Sequence, residues 1–213
     1  MPTARSGEQA TPPDPPTEKG RGTRQRLLSA ATALFAGRGY AGVRVTDITE
    51  AAGLSPGAFY RYFKDRRELM LVLLRELTDE AFDFVRVPWR AEDPMFSVLR
   101  STQLYFEFYG RHSALFGLLV ELSQTDPEVA EIWAGSRRVF YSRIAQSLRR
   151  EVAAGRLRVD VDVDVAAELL GGMTEFYAFQ RFVLGDGVVK DVPLDESARA
   201  LAEIWVSGLV RPV

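Results

Sequence analysis

The sequence predicts an all-α protein: an N-terminal three-helix unit built around a helix-turn-helix, followed by a larger helical body. Three observations predict it. Apolar residues recur at helical spacing along most of the chain, and no alternating strand pattern of useful length accompanies them. Glycine and proline break this pattern at helix-length intervals. A hydrophobic content of 46% over 213 residues is enough to bury the core of one or two domains.

Taken in order, residues 1–18 hold five of the eleven prolines and almost no large apolar side chain, which predicts a disordered tail. Lys19, Arg21, Arg24 and Arg26 mark its junction with the first helix, Thr23 to Tyr40. That helix carries Leu27, Ala31, Leu34 and Phe35 on one face and closes at Gly39. From Asp47 to Phe63 two short helices flank Gly53, where the chain reverses and a positive φ is needed. Ser55 then occupies the cap of the second short helix, and Pro56 its first turn, where a missing N–H costs nothing. Asp65 and Glu68 form a capping box for a helix from Arg66 to Val85. The body continues with helices at Pro94 to Arg111, Ser113 to Leu122, and Pro127 to Ala153. The last of these bears Val129, Ile132, Trp133, Ser136, Phe140, Ile144 and Leu148 along one stripe, and Gly155 ends it. Val159 to Val165 alternates Val with Asp, but a short acidic segment between helices reads as a loop leading into the next one. Helices at 163–184 and 194–210 complete the chain. The expected division is a tail at 1–18, a head at 19–65 and a body at 66–213.

Composition narrows function. The chain has no cysteine and one histidine, His112, so thiol chemistry, disulfides and the common zinc sites are excluded, and neither metal nor cofactor is expected. No run of about 18 apolar residues and no signal-type N-terminus occurs, which predicts a cytoplasmic location. The net charge of −2 conceals a polarity. Residues 19–67 hold ten Lys or Arg against three acids, whereas residues 68–213 hold 16 against 23. A basic head on an acidic body suits a protein that presents one end to phosphates.

The runs Ala52-Gly53-Leu54-Ser55, Gly57-Ala58-Phe59-Tyr60 and Tyr62-Phe63, with the amphipathic helix before them and Phe63-Lys64-Asp65-Arg66-Arg67-Glu68-Leu69 after, resemble a known domain. It is the DNA-binding domain of the TetR family of bacterial transcriptional regulators, and the resemblance covers about residues 21 to 75. It implies that the second short helix enters a major groove, with Pro56, Gly57 and Ala58 nearest the bases, joined by Thr46 and Arg61. Gly57 and Ala58 permit close approach, while Arg61 and Arg44 are the long donors suited to a guanine edge. Arg61 is equally suited to phosphate or solvent. Tyr60, Tyr62, Ser55 and Lys64 are implied as phosphate contacts, and Phe59 and Phe63 as core. Two positions depart from the family pattern. Arg66 stands where lysine is common, so phosphate pairing is expected to persist in forked form. Arg44 stands where a threonine usually caps, leaving Thr46 to cap or the helix to begin later.

One recognition helix reads few base pairs, so a two-fold homodimer on a near-palindromic operator is expected. The resemblance implies an interface on the last two helices, through Ala167, Leu170, Gly171, Leu201, Trp205 and Gly208; the alternative is that the glycines only relieve crowding within one subunit. It also implies a ligand cavity in the body. Candidates for it are Trp89, Phe106, Tyr109, Phe116, Trp133, Phe140, Tyr141, Met173, Phe176 and Tyr177, with Gln103, His112, Glu121, Arg143 and Glu175 as polar groups. For His112 a structural role is the alternative. The expected function is a ligand-responsive DNA-binding regulator, a repressor released from its operator by a small apolar or aromatic molecule through a shift in the helix that begins at Arg66. The alternatives are a constitutive DNA-binding protein with a structural body, or an all-α enzyme, for which no motif is present.

Overall fold

The computed structural model describes residues 15, 17–84, 86–157, 162–185 and 191–209. Among them the regular structure is helical, and the chain divides into two compact units, up to Leu73 and from Leu74 on. The division falls inside a helix, eight residues beyond the expected boundary at 65/66.

The first unit begins with α1 (Glu18–Arg38), which starts five residues earlier than periodicity suggested. Thr17 provides the reason, since its Oγ1 accepts a hydrogen bond from the Gly20 amide at 3.1 Å and satisfies a first-turn donor. The tail expected at 1–18 lies outside the described residues at 1–14 and 16, and its last member, Glu18, is helical. Next come α2 (Val45–Ala51) and α3 (Pro56–Phe59), and then α4 (Arg66–Phe84). Gly53 adopts φ +64 between α2 and α3, the conformation the turn requires. Leu27, Leu28, Ala31, Val43, Ile48, Phe59 and Phe63 are buried and form the core of this unit.

In the second unit α5 (Pro94–Arg111) and α7 (Pro127–Ala153) have the expected bounds, and α6 (Ser113–Ser123) extends one residue further. The Asp93 and Asp126 side chains cap α5 and α7, each with proline at the first helical position. Asp162 caps α8 (Val163–Phe179) through the amides of Asp164 and Val165, so the second half of the Val/Asp alternation is helical; residues 158–161 lie outside the described set. The expected helix 163–184 changes pitch, with Gln180–Leu184 forming one π-helical turn. Phe182 and Val183 of that turn pack where Cβ atoms on Gly110 and Gly117 would stand, at 3.0 and 3.1 Å. The final helix, α9 (Leu194–Leu209), packs on α5, while α7 packs on both α6 and α8. No described helix is long and apolar enough to cross a membrane.

Candidate functional site

The reading surface is built by anchoring one side of α3 and leaving the other bare. Phe59 and Phe63 are fully buried, with ring centroids 5.6 Å apart, and they fix the rotation of the short helix. Ser55, Pro56, Gly57, Tyr60 and Arg61 are consequently exposed, and Ala58 and Tyr62 are half-buried. Ser55 takes the cap position by its backbone, but its hydroxyl makes no capping bond there.

Arg44 is the N-cap residue of α2, and Asp47 compensates for its unsuitable side chain: the Asp47 carboxylate accepts the Arg44 amide at 2.7 Å. Thr46 is therefore not needed as a cap, and it remains exposed at the second helical position. Several basic side chains are spent inside the head, and Arg24 is buried against the Phe63 ring. Arg26 of α1 donates through Nη2 to the carbonyls of Ala52 and Gly53, bracing the turn before α3.

Arg66, expected to pair with phosphate, donates instead through Nη1 to the carbonyls of Tyr40 and Val43, and its guanidinium lies 4.2 Å from the centroid of the Tyr40 ring. The loop between α1 and α2 turns its carbonyls toward the start of α4, and a half-buried guanidinium satisfies them better than water does. Lys64, Arg38, Arg44 and Arg61 remain exposed.

The second unit contains a cavity of about 280 Å³. Trp89, Phe116, Trp133 and Phe140, all expected there, line it together with Arg143 and Glu175. The remaining candidates do not. Phe106 is fully buried and packs 5.1 Å from Tyr177, whose hydroxyl bonds Ser197. Tyr109 lies behind the wall, stacked on Phe116 with centroids 4.0 Å apart. Burial raises the Tyr109 phenol well above its ordinary pKa. His112 stacks on Phe108 at 4.3 Å, and burial lowers its pKa. Gln103 bonds Asp195 on α9. Glu121 is exposed, Met173 is half-buried outside the lining, and Phe176 faces solvent. Tyr141 acts one step removed, donating its hydroxyl to Glu175 at 3.0 Å.

Sequence reading passed over Tyr105, Thr102, Arg137 and Leu157, which also line the cavity. A signal for this wall exists on α5: Ser97, Ser101 and Thr102 are small polar residues on the face that ends in Tyr105, and small residues leave space. Arg137 forms an ion pair with Glu175 at 3.2 Å. Burial nevertheless holds the Glu175 carboxyl above the usual carboxylate range, against the opposing pull of Arg137 and the Tyr141 hydrogen bond. No group of three or more acidic, His or Cys side chains fit to hold a metal occurs among the described residues.

The residues expected at an interface separate into two sets. Ala167 is buried with Ala145, Leu148 and Leu157 inside the unit, and Leu170 packs against the same cluster. Gly171 is buried under Tyr141: a Cβ there would stand 2.5 Å from the ring. Leu201 is buried, and Trp205 lines the cavity. Ala167, Gly171 and Leu201 are thus buried within the one chain, Leu170 and Trp205 are half-buried, and Gly208 is exposed. The outward face of α8 carries Val165, Leu169 and Phe176, at helical spacing and 54%, 69% and 59% exposed, and Ile204 of α9 is likewise exposed.

A short anchored helix with a bare outer face, set in a basic head, together with a separate helical unit enclosing an aromatic cavity, defines a helix-turn-helix regulator of transcription. Residues 27–73 match the model of the bacterial regulatory proteins of the tetR family, and residues 104–207 match the C-terminal domain of AefR-like transcriptional repressors. The chain belongs to the TetR family. It is 33% identical over 144 residues to the transcriptional repressor AcnR of Corynebacterium diphtheriae, covering 67% of this chain and 72% of that protein. Its fold matches a transcriptional regulator from Saccharomonospora viridis in complex with choline, with TM-score 0.75 and 23% identity over 90% of this chain and 99% of the other. It also matches the SmeT–triclosan complex, with TM-score 0.74 and 19% identity over 89% and 92%.

Proposed function

We propose that the protein is a transcriptional repressor that binds a near-palindromic operator as a homodimer and is released when a small organic molecule enters the cavity of its second unit. The observation that carries this reading is the exposed face of α3, rigidly backed by Phe59 and Phe63 and flanked by exposed Arg44, Arg61 and Lys64. In the complex, Pro56, Gly57 and Ala58 approach base edges closely. Arg44, Thr46 and Arg61 supply the hydrogen bonds that distinguish bases, and Ser55, Tyr60, Tyr62 and Lys64 hold phosphates. The repressor names of the AcnR relatives and the small-molecule complexes of structural neighbours support the same reading. The role is regulatory rather than catalytic.

The homodimer is assigned to the outward stripe Val165, Leu169 and Phe176 with Ile204, because apolar area of this kind is stabilised when a second copy covers it. Release follows from differential affinity: a molecule that fits the cavity in one conformation of the dimer depletes the other. Helix α4 contributes residues to both units and is the covalent path for the change.

Selection of bound duplexes from a random pool tests the reading. Two related half-sites with centres about 34 Å apart, one DNA turn, are expected. Recovery of no shared sequence, or of one half-site alone, refutes it.

A further inference from the structure

We propose that the cavity recognises an organic cation, an amine or quaternary ammonium on an apolar body, at Glu175, where it takes the place of the Arg137 guanidinium. This rests on the reading of the cavity as the effector site. The first argument is an asymmetry of burial. The Glu175 side chain is 13% exposed and Arg137 45%. Arg137 also donates through Nε and Nη2 to the Tyr141 hydroxyl, at 3.1 and 2.9 Å. By turning into water it exchanges these bonds and a partly exposed ion pair for solvent contacts, whereas a buried carboxylate stripped of its counter-ion is strongly destabilising. The site thus requires a positive charge beside Glu175, but not the one supplied by Arg137.

The second argument is the aromatic surroundings of the Arg137–Glu175 pair. The Arg137 guanidinium carbon lies 5.3 Å from the Tyr141 ring centroid and 5.9 Å from that of Trp133, within the range at which aromatic faces attract cations. Phe140, stacked at 5.5 Å on Tyr105, continues the aromatic wall. An ammonium at this place gains the carboxylate and the ring faces together. Its apolar body has the rest of the cavity. Burial also holds the Glu175 carboxyl above its usual range despite Arg137, so the internal pair does not fully replace the water the carboxylate has lost. Of the other basic residues of the lining, Arg86 pairs with Asp83 and Arg150 donates to Ser147, and Arg143 lines the cavity as well.

Calorimetric titration of the full-length protein with benzyltrimethylammonium, its neutral isostere neopentylbenzene, and 3-phenylpropionate tests the assignment. The cation should bind about ten-fold or more tighter than the isostere. Glu175→Gln should abolish that preference, and Arg137→Ala should strengthen cation binding by removing the internal competitor. The opposite signs separate recognition from a folding defect, which would weaken both variants.

Equal or tighter binding of the neutral or anionic probe overturns the proposal, as does weaker cation binding in Arg137→Ala or no cation binding by either wild type or that variant. Operator affinity, measured alongside, separates the two readings. A neutral or anionic probe that binds as tightly as the cation or tighter and releases DNA overturns the cation and leaves the effector site standing. A Glu175-dependent cation that leaves operator affinity unchanged upholds the cation site and defeats effector control.

Discussion

Replacing Arg66 by alanine distinguishes a structural clamp from a DNA contact. In the clamp, one Nη1 serves the carbonyls of Tyr40 and Val43, so the two bonds count as a single strong, charge-assisted one of about 1.5–3 kcal/mol. The ring of Tyr40, 4.2 Å away, adds about 1 kcal/mol for a half-buried pair. Loss of both gives about 2.5–4 kcal/mol, or about 5–16 °C in Tm for a chain of this size. Arg66→Lys should recover little of this, since an ammonium cannot bridge the carbonyls while lying flat on the ring. Thermal and urea unfolding measure the stability, and operator titrations at several salt concentrations, below the melting range, measure the phosphate contacts. A clamp leaves the log–log salt slope at the wild-type value. If Arg66 instead paired with a phosphate in each of two heads, its removal would reduce the slope by about 1.8 with little change in Tm, and that result would refute the clamp.

Wild-type operator affinity should fall with a salt slope of about 5, from on the order of six phosphates shared by two heads; a salt-insensitive complex contradicts the reading of the basic head. His112 is the one histidine, and burial lowers its pKa, so the unfolded chain takes up the proton first. Its contribution to stability should therefore decline as pH falls below about 6.5 and level off beneath the folded pKa, and His112→Gln should flatten that part of the urea-midpoint profile. Gly171→Ala should destabilise by about 1–3 kcal/mol, because the new Cβ meets the Tyr141 ring at 2.5 Å. Gly172→Ala, whose Cβ would find only the Tyr141 hydroxyl at 3.8 Å, serves as its control, and equal melting temperatures for the two would disprove this packing account. Leu169→Glu should convert a dimer at micromolar concentration into a monomer in sedimentation; an unchanged dimer moves the interface elsewhere.

Local rules made much of the head legible. Gly53, Pro56 and the Phe59/Phe63 pair constrain backbone and burial within a few residues, so the turn and the bare face of α3 follow from neighbours in the chain. The bounds of α5 and α7 were legible for the same reason, each beginning at a proline that can sit only in the first turn. The π-helical turn at Gln180–Leu184 was not, because it depends on Phe182 and Val183 fitting against glycines of α5 and α6 some 66 to 72 residues earlier.

By itself the sequence determined the all-α class, the helix-turn-helix, the charge polarity and the existence of an aromatic body, since each depends on residue type, local periodicity or a turn. Tertiary structure alone decided which side chains share a space. The resemblance implied an interface through Gly171 and Trp205, yet in the chain one is buried under Tyr141 and the other lines the cavity. Charge counting put Arg66 among groups available to phosphate, whereas the carbonyls of Tyr40 and Val43 occupy it. The physical reason is common to these cases: a periodic pattern specifies that a face will be covered, but packing between elements distant in sequence selects what covers it.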